Sequence, residues 1–330
     1  MRSITVGKNE EGQRLDRILV RLLPNAGKGF IFKMLRKKNI VLNGKKAEGS
    51  ERLEFGDEIK MFFSEESFAK LTGKETCPDN VNNGHNKLLD KITDMIVYED
   101  EDVIILNKPK GVLSQKAEKN DISLNEMLIA YMLGKGEINE EQMATFKPAM
   151  CNRLDRNTSG LICGGKTLKG LRGLSELLRS RDLDKYYLCI VKGKVENRQR
   201  IEGYLVKDEA SNKVSVRPHL SKNTGEDIQG SKIVTEYKPL AYGEDCTLLE
   251  VKLITGKSHQ IRAHLASIGH PLAGDMKYGD EKFNRKMLEQ HKIRSQVLMA
   301  YRMVFPKDCG ELGRLSGKEI KLDKSEEFFI

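Results

Sequence analysis

The chain has 330 residues, enough for one large domain or two smaller ones with a sizeable core. Lysine and arginine number 57 against 48 aspartates and glutamates, and the formal charge of +9 favours an anionic partner, most simply nucleic acid. Six scattered cysteines without a C-x-x-C pair speak against a disulfide framework or a zinc site, and no apolar run is long enough for a signal core or a bilayer span, so a cytoplasmic protein is expected.

Residues 1–63 form the first predicted domain. Leu15, Ile18, Leu19 and Leu22 recur at helical spacing. A second helix after AGKG is expected to bury Phe30, Ile31, Met34 and Leu35, with Lys33, Arg36, Lys37 and Lys38 on its remaining surface. IVLNGKKA reads as a hairpin, because Asn43 and Gly44 both tolerate positive φ, and GDEIKMFF as a closing strand. Residues 64–92 turn polar, with Gly, Pro and Asn and no apolar period, and are expected to be a flexible linker. The second predicted domain covers residues 93–330. Its runs MIVYEDEDVIILNK, KYYLCIVKG, KVSVRP, KIVTEYKPL and CTLLEVKLI are strand-like and outnumber the helical stretches. The expected class is α+β with a mostly antiparallel sheet.

The stretch CNRLDRNTSGLICGGKT carries two overlapping patterns. Gly160, four residues and then Gly165-Lys166-Thr167 match the spacing of a phosphate-binding loop. The intervening Leu161, Ile162 and Cys163 are apolar and strand-prone, unlike an open nest of amides, and no later apolar strand ends in an aspartate to hold magnesium. That reading is set aside. The alternative centres on Asp155, set between Arg153 and Arg156, since neighbouring arginines favour an ionised carboxylate. Taken alone, such a pair is more often a structural ion pair than a catalyst.

Further along, Ser258 is the expected N-cap of a helix with a buried stripe of Ile261, Leu265 and Ile268, and Arg262 projects from its first turns. His259 and His264 are five apart, which misses the i, i+4 spacing of a helical zinc pair, and no metal is expected. Lys108, in NKPKG, fits equally a place near a site or a place in a turn.

Two resemblances organise these observations. RLDRIL, the basic second helix and VLNGKKA resemble the small S-four-like RNA-binding domain, named after a ribosomal small-subunit protein. NRLDRNTSGL is close to the HRLDRDTSGL signature of RNA pseudouridine synthases of the large-ribosomal-subunit type. DEDVIILNKPKGV, KYYLCIVKG, LITGKSHQIRAHLASIGHPLAGDMKYGD and LMAYRMVFP resemble four further blocks of that family in its order, and KYGDEKFN leans toward the synthase C type. The resemblance covers nearly the whole chain outside the linker. It implies a mixed-sheet catalytic domain, uridine isomerisation in large-subunit ribosomal RNA, no cofactor and a monomeric enzyme.

Position by position, Asp155 matches the family's attacking aspartate, Tyr187 its active-site tyrosine and Arg262 the arginine paired with the aspartate. Arg153, Arg156, Lys108, His259 and Gln260 are the expected substrate contacts, joined by Lys33, Arg36 and Lys37 on the basic helix. Two departures stand out: Asn152 where the signature usually has His, and Asn157 where it usually has Asp. They leave one competing expectation, an RNA-binding assembly factor that has lost catalysis.

Overall fold

In the computed structural model, β1 (Arg2–Thr5) leads into α1 (Leu15–Leu22), whose Leu15, Ile18, Leu19 and Leu22 form one buried stripe. The structure describes residues 1–72, 91–118, 121–208, 213–218, 230–323 and 328. α2 (Lys28–Arg36) buries Ile31, Met34 and Leu35. Phe30, expected inside, falls at the edge of that stripe, stays 38% exposed and packs beside Phe63. Asn43 and Gly44, with φ of 50° and 72°, turn the chain between β2 (Ile40–Leu42) and β3 (Lys45–Lys46). β4 (Glu58–Met61) completes an antiparallel sheet of order β1-β4-β2-β3.

Part of the expected linker is helical. α3 (Glu65–Thr72) is capped by the Ser64 hydroxyl, which accepts the Ser67 N–H, and Phe68 is buried in the core beneath α1 and α2. One cap and one buried aromatic suffice here without a repeating stripe. Residues 73–90 of the expected linker lie outside the described residues.

The chain divides into two compact units that do not follow sequence order. Met1–Thr93, Glu126–Ala149 and Lys166–Lys169 make the first, and the remaining residues make the second. The first unit therefore includes most of α4 (Leu124–Gly134) and all of α5 (Glu140–Thr145). Thr145 donates its hydroxyl to the Glu10 carboxylate, and Arg21 Nη1 donates to the Thr145 carbonyl at 3.2 Å.

The second unit is built on one large sheet. Its strands are β5 (Ile96–Glu99), β6 (Val103–Lys108), β8 (Ser159–Gly165), β9 (Asp184–Lys192), β10 (Gln199–Asp208), β11 (Lys213–Arg217), β12 (Ser231–Tyr242), β13 (Cys246–Leu253), β14 (Leu298–Val304) and β15 (Glu319–Lys321); the two-residue β7 (Ala149–Met150) precedes β8. The order is β11-β10-β12-β13-β9-β14-β8-β6-β5, with β15 beside β14. Neighbours along this path are antiparallel except β14 and β8, which run parallel, so the sheet is mixed and the class α+β. The helices are α6 (Leu168–Ser180), α7 (Gln260–Ser267) and α8 (Glu281–His291). One apolar cluster joins Leu161 and Cys163 of β8 to Leu174 and Leu177 of α6. Another joins Leu188 and Ile190 of β9 to Phe283 and Met287 of α8.

The phosphate-loop spacing is a coincidence of this architecture. β8 runs unbroken through Gly165, paired along its length with β6, so its amides are not free to cradle an anion. Lys166, 4% exposed, is ion-paired with Glu137 at 2.8 Å. Among the described residues, no helix is long and apolar enough to cross a membrane.

Candidate active site

The segment Asn152–Thr158, leading into β8, is held by bonds that leave few degrees of freedom. Ser114 Oγ, buried, donates to the Leu154 carbonyl at 3.0 Å and accepts the Leu154 N–H at 3.1 Å. The Gly111 N–H donates to the Arg156 carbonyl at 2.8 Å, and the Thr158 N–H to the Asp155 carbonyl at 3.0 Å. Asn152 Oδ1 accepts the Cys163 N–H at 2.9 Å. The departure at residue 152 thus has a structural use: an amide oxygen fastens the start of the segment to β8.

Lys108 organises this segment from within. It is fully buried, and Nζ donates to the carbonyls of Pro109, Val112 and Arg156 at 3.0, 2.9 and 3.0 Å. Burial pushes its pKa down to about 8, with the Asp155 charge acting in the opposite direction. The expectation that Lys108 contacts substrate is corrected: its three N–H bonds all end on backbone oxygens.

From the other side, α7 brings Arg262 to Asp155. The N-cap position is His259, not Ser258; its side chain makes no capping bond, and it takes the left-handed conformation at φ 56°. Its stripe is Ile261 and Leu265, whereas Ile268, expected in it, is 37% exposed beyond the last turn. Gln260, also expected to touch substrate, is buried and fully engaged. Its Oε1 accepts Thr255 Oγ1 and the Lys257 N–H, and its Nε2 donates to the Val234 carbonyl and Thr235 Oγ1.

Arg262 bridges two carboxylates. Nε and Nη2 donate to Asp275 at 2.7 and 2.9 Å, and Nη1 donates to Asp155 Oδ2 at 2.8 Å. Burial opposes the Arg262 charge, but the bonds to Asp275 and then to Asp155 outweigh it and hold the guanidinium ionised. Asp275, fully buried, also accepts the N–H groups of Lys277 and Tyr278. Its carboxyl is held below the ordinary 3.8: burial works against the charge, and Arg262 and those amides win. The Arg262 guanidinium lies over the Tyr278 ring, 5.2 Å from its centre. Tyr278 Oη in turn lies 2.9 Å from His259 Nδ1 and accepts the Val214 N–H at 3.1 Å. His259 Nε2 is 3.9 Å from Asp155 Oδ2, and burial lowers its pKa from 6.5 despite the Asp155 charge.

Asp155 itself is one-quarter exposed, and its bonds are asymmetric. Oδ2 is held by Arg262, while Oδ1 has no hydrogen-bond donor among the described residues. Asp155 lines a cleft of about 630 Å³ together with Arg153, Arg156, His259, Arg262 and Tyr187. Tyr187, on β9 opposite Val251 and Ala300, is buried; burial first and then the Asp155 charge push its phenol pKa up. Arg153 and Arg156 are exposed, and among the described residues neither makes an ion pair with Asp155. The arginine that pairs with it lies 107 residues away in sequence. Lys33 and Arg36 on α2 and Lys37 just after it are exposed and belong to the first unit, and the cleft is made from the second unit alone.

Asp275, Tyr278 and Ser114 escaped the sequence reading. The only trace of Asp275 is an isolated acid among small and apolar residues in PLAGDM. Among the described residues no group of three or more His, Cys, Asp and Glu side chains is arranged to hold a metal.

Residues 102–267, half of the chain, match the model of the RNA pseudouridylate synthase family. The chain belongs to that family. It is 31% identical to an uncharacterised RNA pseudouridine synthase of Mycoplasma genitalium over 92% of this chain and 88% of that protein. It is 30% identical to the ribosomal large subunit pseudouridine synthase C of Escherichia coli K12 over 87% of this chain and 82% of that protein. Among solved structures, human RNA pseudouridylate synthase domain containing protein 4 superposes with a TM-score of 0.58 at 22% identity, covering 74% of this chain and 94% of that one. This pseudouridylate synthase chain thus shares the fold of that structure over the matched residues.

Proposed function

We propose that this chain isomerises uridines of large-subunit ribosomal RNA to pseudouridine in the cytoplasm, with Asp155 as the attacking group. The observation that carries the proposal is the asymmetry of Asp155, which lines a cleft of about 630 Å³: one oxygen is held by Arg262, and the other has no hydrogen-bond donor among the described residues. The reaction breaks the bond between the sugar and uracil N1, turns the base and joins the sugar to C5; the proton leaves C5 and N1 gains one. No electron, group donor or energy source is consumed. A carboxylate that adds covalently divides this change into easier steps, whether it meets the sugar's anomeric carbon or the uracil ring. Arg262, fixed by Asp275, orients the carboxylate. Tyr187, kept protonated by burial, packs against the base and offers a hydroxyl to it.

The target base must leave its stack to reach Asp155, which costs a few kcal/mol. Backbone contacts offset that cost, and Arg153 and Arg156 at the cleft have no carboxylate partner among the described residues to compete with phosphate. In the first unit, Lys33, Arg36 and Lys37 are likewise exposed and unpaired among the described residues, in keeping with an S-four-like RNA-binding role.

The test is tritium release from a large-subunit rRNA transcript labelled at uracil C5. The wild-type chain should release tritium and Asp155→Ala should fall to background. Wild-type release by the variant would sink the assignment of Asp155, and no release by either would sink the activity.

A further inference from the structure

β9 presents two different faces. Asp184 and Tyr186 point to one side, where Lys252 Nζ bonds Asp184 at 2.6 Å and the Arg302 guanidinium stacks 3.7 Å from the Tyr186 ring centre. Lys185 and Tyr187 point to the other side and line the cleft. Lys252 and Arg302 on that first face both have carboxylate partners, Asp184 and Glu250. Lys185 has neither a hydrogen bond nor an ion pair among the described residues, although it is half-buried in the cleft wall. Burial lowers its pKa, and the nearby Arg181 charge lowers it further, while Cys163 and Asp184 act the other way.

Arg181 is the second unusual cation of this wall. It follows the last residue of α6, where the Asp182 and Leu183 N–H groups both donate back to the Leu177 carbonyl at 3.1 and 3.3 Å. That closure needs a left-handed residue, normally glycine, and Arg181 takes φ 69° there. An arginine adopts this conformation only against steric resistance, so its guanidinium is the reason to look for a use. Like Lys185, it has no carboxylate partner among the described residues, and it lines the same cleft.

Two like charges that repel each other, one of them partly desolvated and neither ion-paired among the described residues, destabilise the free protein and suit an anion with several oxygens. We propose that Lys185 and Arg181 form a phosphate subsite for the RNA strand, holding the phosphodiester next to the nucleotide that occupies the Asp155–Tyr187 end of the cleft. Lys185 and Tyr187 are two residues apart on one strand face, about 7 Å, the scale of one nucleotide of extended backbone. The subsite would fix the strand while the target base swings in. It rests on the RNA-modifying reading above, but its readout is binding and not turnover.

The experiment compares wild type, Lys185→Met and Arg181→Gly by filter binding of a large-subunit rRNA transcript across a salt series, beside thermal unfolding. Each variant should bind about tenfold more weakly, and its slope of log affinity against log salt should shrink by about 0.7, one phosphate on a single strand. Both should also unfold at higher temperature, since Lys185→Met removes a half-buried charge with no ion-pair partner among the described residues and Arg181→Gly relieves the left-handed residue. Wild-type affinity and slope in both variants would overturn the subsite. So would a slower single-turnover rate at saturating RNA with wild-type binding, because that pattern puts Lys185 on the base. A wild-type chain that binds the transcript but releases no tritium refutes the activity and leaves the subsite judged by the salt slopes.

Discussion

Asp275 has no bond to Asp155, yet the position of Asp155 depends on it. Its two oxygens take two donors of Arg262, which leaves Nη1 directed at Asp155 Oδ2 at 2.8 Å. Asp275→Asn keeps the shape but removes the charge and replaces one acceptor by a donor facing the guanidinium. The arginine should then rotate, and a displacement near 1 Å at the carboxylate lowers kcat by about 100-fold. Single-turnover rates at saturating RNA check this, with Asp275→Glu recovering part of the loss. The same substitution should lower unfolding free energy by about 3 kcal/mol, as expected when one partner of a buried pair is lost. The pH dependence follows from the sign of the shift. Asp275 has a depressed folded pKa, so its stabilisation is complete above the ordinary 3.8 and is lost as pH falls below it. His264 acts in a higher window. It is buried against Thr235 Oγ1, 2.9 Å from Nδ1, and burial lowers its pKa from 6.5 to about 4. The unfolded chain therefore binds a proton that the folded chain refuses between those values, so stability is full above pH 6.5 and declines toward pH 4. The decline should be on the order of 3 kcal/mol in denaturant titrations, and His264→Gln should flatten it. Local sequence cannot reveal such residues: nothing in PLAGDM tells that a distant helix delivers an arginine to it. Arg262 and Asp155 were identified as a pair only through the family's motif order, because neighbours in sequence, Arg153 and Arg156, are the partners that spacing alone would choose.

Single elements were more legible. The hairpin at Asn43-Gly44 and the strand runs from KYYLCIVKG to CTLLEVKLI were readable because turn chemistry and β-branched runs are local properties. α3 was not, since its stability comes from one buried phenylalanine and a serine cap, which leave no period. The apolar run after Ser159 reads as a buried strand, but nothing local discloses the pairing that buries it. Gly160, at φ 107°, sits opposite Ala300 in the parallel β8–β14 pair, and a Cβ there would lie 2.1 Å from the Ala300 carbonyl oxygen. Gly160→Ala should therefore combine a left-handed penalty with a backbone clash, a loss of roughly 3–5 kcal/mol. Gly313→Ala, where a Cβ meets nothing within 4 Å and φ is not positive, is the control and should unfold within about 0.5 kcal/mol of wild type. Because Gly160 lies in β8 just after the segment that carries Asp155, equal losses in the two variants would show that the close approach of β8 and β14 does not set the architecture of the site.

At the scale of the whole molecule, the boundary in space differs from the boundary in sequence. Composition changes most sharply over residues 64–92, which invites a cut there, but Glu126–Ala149 returns to the first unit. Composition could not disclose this, because a helix that joins another unit's core looks like any apolar helix. The contacts are specific: Thr145 is buried and gives its hydroxyl to Glu10, Arg21 reaches the Thr145 carbonyl, and Ala144 packs on the core of α1 and α2. A chain begun at Asp94 would keep every residue named around Asp155 and still lose the partners of Thr145 and Ala144. It would expose the apolar side of that segment and leave the Thr145 hydroxyl without its carboxylate. The expected result is a truncated protein with much lower soluble yield and an unfolding temperature below that of the full chain. A sequence-order view of two independent domains expects the opposite, a well-behaved catalytic fragment. Substitutions in the full chain separate the two views without truncation. Glu10→Ala removes one of two acceptors of the Thr145 hydroxyl, the other being the Gln142 carbonyl, and also the acceptor of the Gly7 N–H, and should destabilise by about 1–3 kcal/mol. Thr145→Val, which leaves the Gly7 bond intact, should also lower the denaturant midpoint if the returning segment belongs to the first unit's fold, and leave it unchanged if it does not.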